Sequence, residues 1–192
     1  MKVGLLFGSF NPIHNGHVQI ATRLLENMKL DIVWLVLSPQ NPFKEQLDLL
    51  NPEYRVMLMQ QSLRNETKIQ ICTEELHLPR PSYTIDTMKV LSEKYPDFEF
   101  HIIIGSDNLS GLKKWKEIDA LLAKYPFHIY TRVANIALPF HHEHLILHQL
   151  PLLDISATEV RKRLLSGLSV TGMIHPGSEA IIRHFGWYAA KL

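Results

Sequence analysis

Polar residues capable of chemistry follow short apolar runs at several points in this chain. The densest group is Gly8-Ser9-Phe10-Asn11-Pro12-Ile13-His14-Asn15-Gly16-His17. Gly8 and Ser9 let the backbone bend tightly and bring amide groups close to a ligand. Asn11-Pro12 is a turn signal. His14 and His17 flank Gly16 where helical spacing begins, so both imidazoles can reach one side of a first helical turn. A helix amino end carries partial positive charge and unpaired N–H groups, which suits phosphate. Imidazoles add donors there without requiring full charge. On spacing alone, a loop in which one histidine caps a helix is an equal reading.

A second group lies far downstream, in Asp154-Ile155-Ser156-Ala157-Thr158-Glu159-Val160-Arg161. Ser156 with Glu159 three residues on is a capping-box pattern, so a helix begins here. Capping accounts for Ser156. It leaves Arg161 unexplained, because a cation near a helix amino end is unfavourable without an anion close by.

Between these groups stand single residues with two readings each. Lys44 follows the proline-stiffened loop Pro39-Gln40-Asn41-Pro42-Phe43 and is either a solvated lysine or a phosphate contact. In Ser82-Tyr83-Thr84-Ile85-Asp86-Thr87, Ser82 or Thr84 can cap a helix. Gly105-Ser106-Asp107 is either turn chemistry or a carboxylate placed for a ribose hydroxyl. Trp115, set among Lys113, Lys114 and Lys116, either packs on a sheet under snorkelling lysines or offers a face to an aromatic base.

These residues need a scaffold that brings distant turns to one rim. Lys2–Phe7, Asp31–Ser38, Lys68–Thr73, Phe100–Ile104 and Phe127–Arg132 read as strands, mostly apolar runs of the length a buried parallel strand takes. Helical spacing covers Gly16–Met28 through Val18, Ala21, Leu24, Leu25 and Met28. Asn51-Pro52 opens another helix, with Tyr54, Met57 and Leu58 as its inner face and an end near Asn65. Ile85, Met88 and Leu91 define a third, and residues 118–124 a fourth. Alternation of strands and helices predicts an α/β fold, a Rossmann-like doubly wound and mainly parallel sheet. The chain reads as one domain over residues 1–192, with a helical part from about 155 packing on the sheet. Ala180, Ile181 and Phe185 mark an amphipathic tail helix, with Trp187 and Tyr188 covering the core. No chemistry is read in that tail.

Totals narrow the classes. A chain of 192 residues with 46% apolar and 20% charged residues can bury a real core. A net charge of +1 gives no reason to expect nucleic acid or an anionic membrane. The single cysteine, Cys72, excludes an internal disulfide and fits a reducing cytoplasm, with a core strand as its expected place. The apolar start is too short for a signal peptide, and no run nears the ~18 residues of a membrane span. A soluble, cytoplasmic protein is expected. His141, His142, His144 and His148 crowd one segment, but without a fixed H-x3-H pattern and an acid they favour a variable hairpin over a metal site.

The ordered set G-S-F-N-P-x-H-x-G-H, a Lys loop, S-Y-T-x-D-T, G-x-D, Trp and I-S-x-T-x-x-R resembles the nucleotidylyltransferase superfamily, with its [HT]-x-G-H signature. S-Y-T-x-D-T resembles the bacterial nicotinate-nucleotide adenylyltransferase branch. The resemblance implies transfer of the adenylyl group of ATP to nicotinate mononucleotide, with pyrophosphate released. It implies His14, His17, Lys44 and Arg161 as the catalytic residues. An ATP site follows from Gly8, Ser9, Phe10, His14, His17, Gly105, Asp107, Ile155, Ser156, Thr158 and Arg161, with Ser156 and Arg161 on the β- and γ-phosphates. Lys44, Tyr83, Thr84, Asp107 and Trp115 would line the acceptor site, with Trp115 stacked on the pyridine ring. Mg2+ would ride on the ATP phosphates, with few or no protein ligands. Two positions depart from the pattern: Phe43 stands where a histidine is common, and Ala157 replaces a motif serine. Rival readings are an adenylyltransferase for nicotinamide mononucleotide or phosphopantetheine, and a nucleotide-binding module without turnover.

Overall fold

The computed structural model describes residues 1–39, 49–131, 136–151 and 154–189. Six strands form one sheet: β1 (Lys2–Gly8), β2 (Ile32–Leu37), β3 (Ile69–Cys72), β4 (Glu99–Gly105), β5 (Phe127–Thr131) and β6 (Leu145–Gln149). Their order is β3-β2-β1-β4-β5-β6, and every pairing is parallel. Register sets Leu6 of β1 beside Leu35 of β2 on one side and Ile103 of β4 on the other. The chain winds outward from β1 to β3, then returns to β4 on the far side of β1. The connections leaving β1 and β4 therefore diverge, and the crevice between them is where open α/β sheets bind ligands.

Helices cover both faces because β1, β2 and β4 bury side chains on both. On one face α1 (Asn15–Met28), α2 (Pro52–Ser62), α5 (Ala157–Leu165) and α6 (Pro176–Phe185) pack Ile20, Leu24, Leu58, Val160 and Ile182 against Leu6, Leu35 and Ile103. On the other, α3 (Thr84–Lys94) and α4 (Ile118–Lys124) pack Met88, Leu91 and Leu121 against Leu5, Val36 and Ile102. Cys72 is buried in β3, and that burial pushes its thiol up to about 11. Among the described residues no helix is long and apolar enough to cross a membrane.

Three local expectations are corrected. The segment expected to form a hairpin instead carries β6, which runs parallel to β5 with Leu145 against Phe127 and His148 against Tyr130. Leu145 is thereby buried in the α3-side core, which an exposed hairpin would not achieve. In α2 the inward residues are Arg55, Leu58 and Met59, whereas Tyr54 and Met57 are exposed. Apolarity misreads this helix because loop carbonyls converge beneath it and need a donor. Finally, neither Ser82 nor Thr84 caps α3. Tyr83 is the cap residue, and the Ser82 hydroxyl turns inward to the Glu75 carboxylate at 2.7 Å.

Candidate active site

The turn after β1 is held by close packing. Phe10 is buried and takes a left-handed backbone with φ of 43°, and its ring meets the edge of His17 at 5.0 Å. His14 ends the turn as the cap residue of α1, and its imidazole stacks on that of His17 with centroids 3.6 Å apart. Gly16 makes the stack possible, since a Cβ there would lie 3.0 Å from His14 Nδ1. The His14 main-chain N–H donates to His17 Nδ1 at 3.2 Å. With Nδ1 accepting, the Nε2 of a neutral His17 carries the proton and serves as a donor. No acid occupies the first turn of α1.

The downstream group reaches the same place. Ser156 caps α5 by accepting the Glu159 N–H at 3.1 Å, as expected. The Glu159 carboxylate does not complete a capping box with Ser156; it accepts from Arg163 Nε at 2.9 Å. Arg161 donates to the Asn11 carbonyl at 2.8 Å and lies 3.5 Å from the Thr158 hydroxyl. The Ile155 carbonyl lies 3.6 Å from where a Gly16 Cβ would stand. Two helix amino ends, those of α1 and α5, thus meet at Gly16. Gly8, Ser9, Phe10, His14, His17, Ile155, Ser156, Thr158 and Arg161 belong to this one junction.

Gly105 and Asp107 lie at the end of β4, on the other side of the crevice. Gly105 has no room for a side chain: a Cβ there would stand 2.3 Å from Asp107 Oδ1 and 3.0 Å from the Tyr130 hydroxyl. The exposed Asp107 carboxylate also accepts from Asn108 Nδ2 at 3.2 Å. Tyr83, Thr84 and Trp115 are half-buried, and Tyr83 and Trp115 pack on the α3-side core. Lys116 joins the two segments, lying 4.9 Å from the Tyr83 ring while its ammonium donates to Asp86 Oδ2 at 2.9 Å. Trp115 rests 6.1 Å from Phe127, a packing contact. Phe10 and Ile155 belong to the core on one side of the sheet, and Tyr83 and Trp115 to the core on the other. The two groups therefore border the rim from opposite faces. Lys44 and Phe43 lie outside the described residues.

Four supporting residues escaped the sequence reading. Asn11 is a hub: its Oδ1 accepts from the Leu50 N–H at 3.1 Å and from the Tyr188 hydroxyl at 2.6 Å, while its carbonyl receives Arg161. Tyr188 therefore ties the tail to the first turn, and burial raises its phenol well above the ordinary range. Arg55 lies fully buried under α2. Glu75 is buried too, which raises its carboxyl despite hydroxyls donated by Ser82, Ser38 and Thr87. In sequence these four look like turn, helix-surface and tail residues. No local sequence pattern signals them, because their partners lie far away along the chain.

A strand–turn–helix junction at the switch point of a 3-2-1-4-5-6 sheet defines a doubly wound α/β class, and a family model described as cytidylyltransferase-like matches residues 5–163. A probable nicotinate-nucleotide adenylyltransferase of Flavobacterium johnsoniae is 36% identical over 98% of this chain and 99% of its own length. One of Cytophaga hutchinsonii is 38% identical with the same coverage. The chain belongs to the nicotinate-nucleotide adenylyltransferase family, within the cytidylyltransferase-like group. In fold it is similar to the Plasmodium falciparum nicotinic acid mononucleotide adenylyltransferase solved with NaAD, with a TM-score of 0.77, 23% identity and 97% coverage of each chain.

Proposed function

We propose that this chain transfers the adenylyl group of ATP to nicotinate mononucleotide, releasing pyrophosphate and forming nicotinate adenine dinucleotide. One observation carries the reading: the Arg161 guanidinium, 150 residues downstream, bonds the turn that holds His14 and His17. Donors from two remote segments converging on one junction suit a polyphosphate, which spreads charge over many oxygens.

The chemistry asks little else of the protein. An oxygen of the acceptor phosphate, ionised at neutral pH, attacks the α-phosphorus of ATP. The new P–O bond forms as the bond to the bridging oxygen breaks, and pyrophosphate departs with that electron pair. No general base is needed, so catalysis becomes alignment and charge stabilisation. In this reading the Gly8–Phe10 backbone, His14 and His17 steady the α- and β-phosphates, and Ser156, Thr158 and Arg161 hold the β- and γ-phosphates. Lys44 meets phosphate, and Gly105 lets Asp107 reach a ribose hydroxyl. Tyr83, Thr84 and Trp115 receive the nicotinate nucleotide from the opposite face of the rim. Mg2+ enters as the metal complex of ATP. A hard cation takes oxygen ligands, and imidazole, guanidinium and amide donors suit the phosphates instead. ATP as co-substrate fits a cytoplasmic setting.

The test compares nicotinate mononucleotide, nicotinamide mononucleotide and phosphopantetheine as acceptors with ATP and Mg2+, following pyrophosphate. Preference for the nicotinate nucleotide is expected. Preference for either rival overturns the substrate, and ATP binding without pyrophosphate under all three overturns the enzyme.

A further inference from the structure

Arg55 is the largest side chain that is fully buried, and nothing above gives it a part in the reaction. Among the described residues its four hydrogen bonds all go to main-chain carbonyls. Nη1 donates to Ser9 at 2.7 Å and to Ser38 at 2.8 Å, Nη2 to Pro39 at 3.1 Å, and Nε to Leu50 at 2.8 Å. These carbonyls come from the turn after β1, from the exit of β2, and from the residue before the α2 cap. One planar fork therefore fixes three chain segments that border the rim, a task suited to guanidinium geometry.

Two features go beyond loop fastening. First, burying a cation is costly, and a neutral donor would satisfy a carbonyl for less. The titratable groups that face Arg55 include Arg80, a like charge that opposes it, and the neutral Tyr188 phenol; burial is the main influence and lowers the guanidinium to about 10. It stays charged at neutral pH, and among the described residues its hydrogen-bond partners are carbonyl dipoles. Its positive potential thus persists beneath the Ser9–Phe10 turn. Second, a trans peptide unit points its C=O and N–H in opposite directions. Drawing the Ser9 carbonyl down onto Arg55 turns the Phe10 N–H to the opposite side, away from the guanidinium.

We propose that Arg55 is a positioning residue for the nucleotide phosphates, orienting the Ser9–Phe10 amide and supplying positive charge from below the turn. This rests on the functional reading above, with the first turn as the polyphosphate site. Arg55 touches neither substrate and acts through the Ser9–Phe10 turn, so its effect falls on ATP more than on the acceptor.

The test uses full-length Arg55→Lys and Arg55→Met beside the unaltered chain. Three measurements are made: kcat with KM for each substrate, amide hydrogen exchange without substrate, and thermal unfolding. Arg55→Lys keeps the charge but loses the fork; its kcat is expected to fall about tenfold and its KM for ATP to rise about fivefold, the scale of losing aligned donors. KM for nicotinate mononucleotide is expected to rise by less than half as much as KM for ATP. Arg55→Met, lacking charge and fork, is expected to lose about another tenfold in kcat/KM for ATP. Exchange is expected to rise in Phe7–Ile13 and not in β4 or β5. A folded Arg55→Met with ATP constants like the unaltered chain overturns the proposal. So does equal loss for both substrates with exchange raised everywhere, or failure of both variants to fold, since each assigns Arg55 to folding alone. If the unaltered chain shows no turnover, the functional reading fails and this proposal fails with it. If turnover is normal and only the Arg55 variants behave as above, both stand.

Discussion

Two sets of histidines occupy this molecule, and their surroundings give them opposite chemistry. At the rim His14 and His17 stack face to face at the amino end of α1, one ring nitrogen accepting from the main chain. In the sheet, His101 of β4, His128 of β5 and His148 of β6 form a chain of imidazoles. His101 Nδ1 lies 3.0 Å from His128 Nε2, and His128 Nδ1 lies 2.8 Å from His148 Nε2. Glu99 ends the chain 3.0 Å from His101 Nε2. A carboxylate accepts, so His101 carries its proton on Nε2 and must accept on Nδ1. The same logic passes down the row, leaving three neutral rings with all their protons on Nε2. The rim pair sits at a helix amino end, whereas the row passes its protons along itself from ring to ring. Residue type did not decide this; the neighbouring acceptors did.

The largest effect that tests the contrast is on turnover. His17→Ala is expected to lower kcat at least ~100-fold, the scale of losing one electrostatic donor. His128→Leu, equally a loss of imidazole, is expected to stay within about twofold, because it lies among packed strands away from the rim. Steady-state kinetics on both variants decides the matter. Near-normal turnover by folded His17→Ala would erase the distinction from one side, and collapse of His128→Leu would erase it from the other.

Trp115→Ala carries the contrast to a third ring. If its half-exposed face serves the nicotinate nucleotide, the KM for that substrate is expected to rise about tenfold and more than the KM for ATP, in line with the loss of one stacking contact. Equal rises would leave Trp115 as the packing partner of Phe127 and nothing more.

The buried row makes its own prediction in pH. Burial first, then the neighbouring His101 and His148, pushes His128 down to about 3, and burial lowers His101 and His148 as well. An unfolded imidazole titrates near 6.5. Between those values the unfolded chain binds protons that the folded chain refuses, so stability falls as pH falls from 6.5 toward 3. His128→Leu removes the group with the widest window. Relative to the unaltered chain, its stability is expected to lose about 2 kcal/mol less between pH 6.5 and 4.5, about 6 °C in Tm for a chain of this size. Parallel curves for the two proteins would show that the row does not set the acid limit.

The sheet was legible because β1, β2 and β4 are apolar on both faces, and no other element tolerates that over so short a run. The rim turn was legible because glycine and histidine spacing is local. The histidine-rich segment was misjudged for the same reason: His141, His142, His144 and His148 are close in sequence, yet His148 joins His128 and His101, while His144 turns to the Leu122 carbonyl. Arg55 was invisible for a different cause. Helical spacing assigns the inward face by apolarity, and here carbonyls from Ser9, Ser38, Pro39 and Leu50 outweighed it. Long-range hydrogen bonds have no period, so a pattern search cannot find them.

The smallest effect bears on how far support for the rim extends. Tyr188 sits in the tail, takes a backbone φ of 62°, and donates its hydroxyl to Asn11, the residue whose carbonyl holds Arg161. Tyr188→Phe deletes that hydroxyl and keeps the ring. If the tail only covers the core, turnover and stability are both expected to match the unaltered protein. If it steadies Asn11, kcat is expected to fall about threefold at unchanged fold, the worth of one neutral hydrogen bond felt through a second residue. A double-mutant cycle with Arg161→Lys separates these outcomes. Coupled hydrogen bonds give losses that fail to add, whereas independent ones add. The same cycle run with His128→Leu in place of Arg161→Lys is expected to be additive, because the hydrogen bonds of Tyr188 and those of the buried row share no residue among the described ones. Non-additivity there would show that the two histidine sets share one network, and the contrast between them would have to be given up.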